Sequence, residues 1–294
     1  MRESQRLPHF SFEDKMKISE LDIARSSVFC LSGGMDSTCL MLKLLTHALP
    51  HDGDGPGEVV AVSYNYGQKH SVELQRASAN IRYISDMLGD RCKLTHHIVD
   101  ITSIMSLYHS ALTTDGVEVP EGFYEEDNMK ATVVPNRNAI FASMGWGLAL
   151  SLAVERDKRF NFAMGVHSGD HAIYPDCRPV FHNKLRRSFE EGNWDSELVC
   201  YYTPYMDGDK VTILKDALAS CEMLRLNFDT VLQNTNTSYN PDSEGRSSGK
   251  SGADVERILA FHVLGRKDPV PYVDGWEKSL EFALNAEKEF RTKA

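Results

Sequence analysis

The sequence predicts an α/β fold, a doubly wound and mostly parallel sheet with helices on both faces and a helical appendage at its C-terminal end. Three observations carry this expectation. Short β-rich apolar runs alternate with segments of helical length, as βαβ units require. The runs are rich in Val, Phe and Ala, as suits strands covered on both faces. A glycine-rich turn joins the first run to the first helix, where parallel sheets bind anions.

The elements follow in order. Residues 28–31 form the first strand, Ser32-Gly33-Gly34-Met35-Asp36-Ser37 the turn, and 38–49 an apolar helix. After a loop over 51–57 come a second strand at 59–64 and an amphipathic helix over about 71–88, then a third strand at 93–99. The polar stretch 108–132 lacks strong periodicity and is long enough for a substrate lid. A helix over 136–155 and a fourth strand at 160–166 follow. Beyond Val211 the pattern is helical, interrupted by a Ser/Asn/Gly-rich stretch at 234–252 that reads as an exposed loop or a partly ordered appendage. The expected division is an N-terminal extension (1–25), a nucleotide-binding and catalytic domain (26–233) and a C-terminal loop with helices (234–294).

The chain has 294 residues, 41% of them hydrophobic and 25% charged, and a net charge of −10. This composition excludes global disorder, and the acidic balance excludes bulk nucleic-acid binding, which needs clustered cations. No run approaches the apolar length of a bilayer span, and the polar N-terminal segment lacks the apolar core of a secretory signal, so a cytoplasmic protein without membrane contact is expected. The six cysteines (Cys30, Cys39, Cys92, Cys177, Cys200 and Cys221) are scattered, with no CxxC pair to suggest a disulfide framework or zinc site.

In the glycine turn, the glycines let backbone N–H groups approach phosphate oxygens, while Ser32 and Ser37 add hydroxyl donors. Asp36 is suited to placing Mg²⁺ or to capping the helix. The hexapeptide resembles the SGGxDS signature of the PP-loop ATP pyrophosphatases, which adenylate a substrate oxygen and then displace AMP with a nucleophile. That resemblance implies a Rossmann-like, adenine nucleotide alpha hydrolase-like sheet, ATP and Mg²⁺ as cofactors, and Ser32, Gly33, Gly34, Met35, Asp36 and Ser37 around the phosphates. The stretch from Gly245 to Ser251 imitates another phosphate loop. Only three residues separate its glycines where four are required, and no strand precedes it.

Three further segments resemble the 7-cyano-7-deazaguanine synthase (QueC) family. Tyr66-Gly67-Gln68-Lys69-His70 is similar to its YGQRH motif, Val134-Pro135-Asn136-Arg137-Asn138 to VPGRN, and Tyr174-Pro175-Asp176-Cys177-Arg178 to YPDCR. Membership would imply an ATP-dependent carbon–nitrogen ligase of queuosine biosynthesis. Such an enzyme joins 7-carboxy-7-deazaguanine to ammonia, giving the amide and, with a second ATP, the nitrile preQ0. Ser32, Asp36, Ser37, Lys69, Arg137 and Arg178 would be the catalytic set, the cations offsetting phosphate and carboxylate charge. Tyr66, Gln68, His70 and Asn138 would complete the nucleotide site, with His70 also able to move a proton from ammonium. Tyr66, His167, Asp170, Tyr174, Asp176 and Arg178 would form the substrate site. Asp170 or Asp176 could accept paired ring N–H donors, and a tyrosine could stack on the ring. Gly169 argues against a helix bearing His167 and His171 on one face, so a pocket-shaping loop is expected there and no metal.

The family also carries four zinc-binding cysteines near its C-terminal end. The matching positions here are Ser238, before Tyr239-Asn240, and then Ser248, Ser251 and Asp254. Hydroxyls are poor zinc ligands and one carboxylate cannot replace the rest, so no zinc is expected. This departure opens two alternatives. One is a repurposed QueC-like ligase that attaches a deazaguanine to an amine on a protein or other acceptor, as family relatives in antiviral operons and viral genomes look to be. The other is a nucleotide-binding module without catalysis. No glutaminase nucleophile is present, so free ammonia or an external amine is the acceptor, and the chain is expected to pair as a homodimer.

Overall fold

The computed structural model describes residues 23–51, 53–68, 72–108, 110, 133–171, 174–238, 242 and 244–293. Five parallel strands, β1 (Ser26–Cys30), β2 (Glu58–Asn65), β3 (Lys93–Asp100), β4 (Phe160–Ala163) and β5 (Val199–Tyr202), form one sheet in the order β3-β2-β1-β4-β5. The chain winds outward from β1 to β3, then crosses back to lay β4 and β5 on the other side. The crevice beyond the carboxyl ends of β1 and β4 is the switch point where such sheets bind ligands.

The helices are α1 (Met35–Ala48), α2 (Val72–Leu88), α3 (Thr102–Met105), α4 (Arg137–Arg156), α5 (Pro179–Gly192), α6 (Lys210–Leu224), α7 (Phe228–Gln233), α8 (Gly252–Val263) and α9 (Trp276–Lys293). Side chains alternate along the strands and so supply two cores. Phe29, Val59 and Ala61 pack with Leu40 and Leu44 of α1, Ile213 and Leu214 of α6, and Phe261 of α8. Val28, Val60, Val62 and Phe162 face the other way, onto Ala142, Trp146, Ala149 and Ala153 of α4. The fold is therefore the expected Rossmann-like, doubly wound α/β sheet, with a helical C-terminal region.

Three differences from the sequence reading have physical causes. First, β5 and α5 were not foreseen. The strand has four residues, too few for a period, and α5 is dominated by polar and charged residues, with His182 its one buried side chain. Second, α4 is long and apolar enough to cross a membrane by length and composition, which the sequence reading denied to every segment. Its small residues lie against the sheet, and Gly145 lets Phe162 approach to where a Cβ would stand 2.3 Å from the ring. Third, the described residues of 234–252 do not form an exposed loop. Thr235, Asn236, Ser238, Ser247 and Ser251 are buried, because the Arg76 guanidinium donates to Thr235 O and Gly245 O while Arg257 donates to the Thr235 and Thr237 hydroxyls. The lid expected over 108–132 lies outside the described residues except for Tyr108 and Ser110, as does the N-terminal extension before Ile23.

Candidate functional site

At the switch point, β1 ends in the glycine turn and α1 begins. Gly33 has φ +89°, and a Cβ there would stand 2.2 Å from the Glu73 carbonyl oxygen, so only glycine fits the turn against α2. Gly34 is the N-cap of α1 and no side chain caps the helix, which leaves its positive end for an anion. The hydroxyls brace the turn: Ser32 Oγ and Ser37 Oγ lie 3.0 Å apart, Gly34 N–H donates to Ser32 Oγ at 3.1 Å, and Ser32 N–H donates to Ser37 Oγ at 3.2 Å. A backbone cradle without side-chain obstruction at a helix N-terminus suits phosphate oxygens.

Lys210, at the start of α6, reaches this cradle almost fully buried. Its Nζ lies 2.8 Å from Asp36 Oδ2, 3.1 Å from His167 Nε2 and 3.3 Å from Glu256 Oε2. His167 Nδ1 accepts the Gly169 N–H at 3.1 Å, and its Nε2 lies 3.6 Å from Asp36 Oδ2. Burial alone would raise the Asp36 carboxyl. The charges and hydrogen bonds of Lys210 and His167 outweigh it and hold the group well below the usual carboxylate range. The sequence reading missed Lys210. A lysine in the first turn of a helix opposes the helix dipole, and that placement was the one available signal.

The opposite wall is aromatic. Tyr64 stacks on Phe141 with centroids 4.4 Å apart, Tyr66 packs against the same ring, and Met164, Val166 and Tyr174 continue the wall. A flat heterocycle fits such a surface. Arg137, in the first turn of α4, lines the cavity and hydrogen-bonds the Tyr66 hydroxyl.

Of the residues singled out in the sequence, Ser32, Met35, Asp36, Ser37, Tyr66, Gln68, Arg137, Asn138 and Tyr174 line one cavity. Gly34 lines it too, and Gly33 shapes its floor. Some do structural work. The Gln68 side chain accepts the Tyr66 N–H at 2.9 Å and donates to Tyr64 O, while Asn138 donates to Cys177 Sγ and gives its N–H to Asp176. His167, against Lys210, is not among the cavity-lining residues, whereas Lys210 is. Arg178 is the N-cap of α5, exposed and not among the cavity-lining residues. Lys69 and His70 lie outside the described residues, as does the side chain of Asp170.

Glu73, half-buried at the start of α2, also lines the cavity. Burial pushes its carboxyl up to about 7, against the Asn236 hydrogen bond and the Arg137 charge. A carboxyl raised on folding stabilises most when protonated. Its contribution is complete below the ordinary value of 4.5 and is lost as pH rises through about 7. Glu73→Gln is expected to flatten that part of the stability profile, as thermal melts across this range would show. An unchanged profile would mean that Glu73 titrates normally.

The family model of the queuosine biosynthesis protein QueC matches residues 26–265. The 7-cyano-7-deazaguanine synthase of Marinomonas sp. is 40% identical over 251 residues, 85% of this chain and 99% of its own length. That of Hahella chejuensis is 40% identical over 250 residues (85% and 94%), and that of Caldicellulosiruptor saccharolyticus 37% over 246 residues (84% and 95%). Among solved structures, the U34-tRNA thiolase NcsA from Methanococcus maripaludis is a distant likeness, with a TM-score of 0.37 and 16% identity over 69% of this chain and 57% of that one.

Proposed function

The chain belongs to the QueC family, and from that premise we propose that it is a cytoplasmic ATP-dependent ligase that adenylates 7-carboxy-7-deazaguanine and aminates it, through the amide, to the nitrile. The observation that carries this reading is the uncapped N-terminus of α1 beside buried Lys210, facing an aromatic wall across one cavity. In this reading 26–233 is the ATP-binding and catalytic unit and 234–294 supports it.

The substrate carboxylate oxygen attacks the α-phosphorus of ATP. The new O–P bond replaces the bond to the β-phosphate, and pyrophosphate leaves with the electron pair. Donors at the glycine turn and the Lys210 ammonium hold that charge where it develops. Ammonia then attacks the acyl carbon, the C–N bond forms, the bond to AMP breaks, and a proton from nitrogen is lost. In the second round the amide oxygen takes the adenylyl group from another ATP. Loss of both N–H protons and of AMP leaves the nitrile. Asp36 Oδ1, buried and without a hydrogen-bond partner among the described residues, suits a hard cation and would hold Mg²⁺ together with phosphate oxygens. The ion supplies charge neutralisation on the departing pyrophosphate. Arg137 and the tyrosines orient the planar substrate, and Lys69 and Asp170 complete the proposed set, while Arg178, exposed and outside the cavity lining, is left out of it.

Incubation with ATP, Mg²⁺, 7-carboxy-7-deazaguanine and ammonium, read by mass spectrometry, tests this. AMP, pyrophosphate and then nitrile are expected. ADP and phosphate as the sole nucleotide products would refute the adenylation chemistry. Amide accumulating without nitrile at high ATP and ammonium would favour the second reading, a ligase for another amine. The serines at the family's zinc-ligand positions are the observation that keeps that reading open.

A further inference from the structure

Four polar side chains of the C-terminal region, two of them from the start of α8, meet in a cluster beside the cavity. The hydroxyls of Ser238, Ser248 and Ser251 donate to a single oxygen, Asp254 Oδ2, at 2.9, 2.9 and 2.8 Å. Ser238, Ser251 and Asp254 are at most 2% exposed. These are the positions where the family resemblance places four zinc-binding cysteines. The residues present do not fit that metal, since none is a thiolate or imidazole. Among the described residues, no group of three or more His, Cys, Asp and Glu is suited to a metal ion. The carboxylate oxygen instead stands where the three hydroxyl arms converge. Burial raises the carboxyl; the three hydroxyl dipoles oppose that shift, as does its place in the first turn of α8, which Ser251 caps by accepting the Asp254 N–H.

The cluster is wired to the glycine turn. Ser238 Oγ also accepts the Ser248 N–H, which ties two stretches of chain together. Two residues before Ser238, Asn236 N–H donates to Gly33 O at 2.9 Å, and Asn236 Nδ2 donates to Ser238 O at 3.0 Å. Asn236, Thr237 and Ser238 line the cavity. Gly33 is thus held between the Glu73 carbonyl on one side and Asn236 on the other.

We infer that Ser238, Ser248, Ser251 and Asp254 form a metal-independent clamp, and that Asp254 is a positioning residue that fixes the cavity wall so that Asn236 holds the glycine turn in its ligand-binding shape. The inference rests on the proposed function only in taking ATP as the ligand of that turn. Asp254→Ala, measured by calorimetry, is expected to weaken ATP binding about tenfold. In the variant Ser238→Cys/Ser248→Cys/Ser251→Cys/Asp254→Cys the four side chains can close on zinc. It is expected to take up a single zinc per chain, to bind ATP within about threefold of the unaltered protein, and to lose that affinity on chelation. The unaltered protein should hold no stoichiometric zinc and keep its melting temperature in chelator. If Asp254→Ala does not fold, the four-cysteine variant with and without zinc decides alone. ATP binding unchanged by Asp254→Ala, a zinc-loaded variant that binds ATP no better than its chelated form, or tightly held zinc in the unaltered protein would overturn the clamp. If the unaltered protein binds no ATP, the proposed function fails, and the clamp is judged by melting: Asp254→Ala must lower the melting temperature, and zinc must raise it in the four-cysteine variant.

Discussion

Lys210→Met is expected to slow formation of AMP and pyrophosphate about a thousandfold, the scale on which one preorganised charge at a developing anion acts. Methionine keeps much of the volume and removes only the ammonium. That ammonium lies between Asp36 and Glu256 with almost no solvent contact, so its loss also leaves two carboxylates facing each other beside His167. Removing one partner of a buried pair costs about 3–5 kcal/mol; both carboxylates keep some solvent contact, so the lower end is expected in chemical denaturation. Lys210→Arg should not restore the rate, because the three contacts converge on one small cation and a planar fork cannot meet them together. The Asp36 side of the cluster sets a sign for pH. A carboxyl depressed on folding contributes stability above its ordinary value of 3.8, and that contribution is lost as pH falls below it. Stability near neutral pH should therefore be insensitive to Asp36 titration. A Lys210→Met enzyme of normal rate would show that the lysine serves only to neutralise its neighbours.

The fold and the glycine turn were legible in the sequence because both are local. The four strands read from apolar runs are present, with ends displaced by at most three residues, and the glycine turn lies between strand and helix as its residues require. What could not be read depends on contacts between distant segments. Asp209 caps α6 by accepting the Thr212 N–H, a start signal visible in sequence, but nothing local says that the next residue is buried against Asp36. The stretch 234–252 has the composition of a solvated loop, and composition misled. Many of the polar groups of its described residues are bonded within the protein, by Arg76 and Arg257 and by one carboxylate shared among three serines. The motif residues Gln68 and Asn138 were assigned to the nucleotide site. Both line the cavity, yet their amides are bonded to the protein, so motif membership alone did not separate ligand contact from loop bracing.

Gly33→Ala should be the most damaging single-methyl change in the cradle. At φ +89° an L side chain is already strained by about 1–3 kcal/mol. The added Cβ would also meet the Glu73 carbonyl oxygen at 2.2 Å and its carbon at 2.8 Å, both of them backbone at the start of α2, with no flexible side chain to yield. Either α2 moves away or the turn changes shape. A changed turn no longer presents the start of α1 in the same shape, and it strains the Asn236 bond to Gly33 O. ATP affinity is expected to fall about a hundredfold, equivalent to roughly 3 kcal/mol of lost binding. Gly34→Ala is the matched control. Its φ of −77° suits any residue, and the added Cβ would lie 3.2 Å from the Ser32 hydroxyl and 3.4 Å from Asn236 O, where small shifts suffice. The control should lose much less affinity and retain most of its melting temperature. Calorimetry with ATP on both variants separates the explanations. Equal, small losses would mean that the close approach to Glu73 does not shape the turn, whereas a large loss confined to Gly33→Ala places the phosphate cradle at the crossing of the turn and α2.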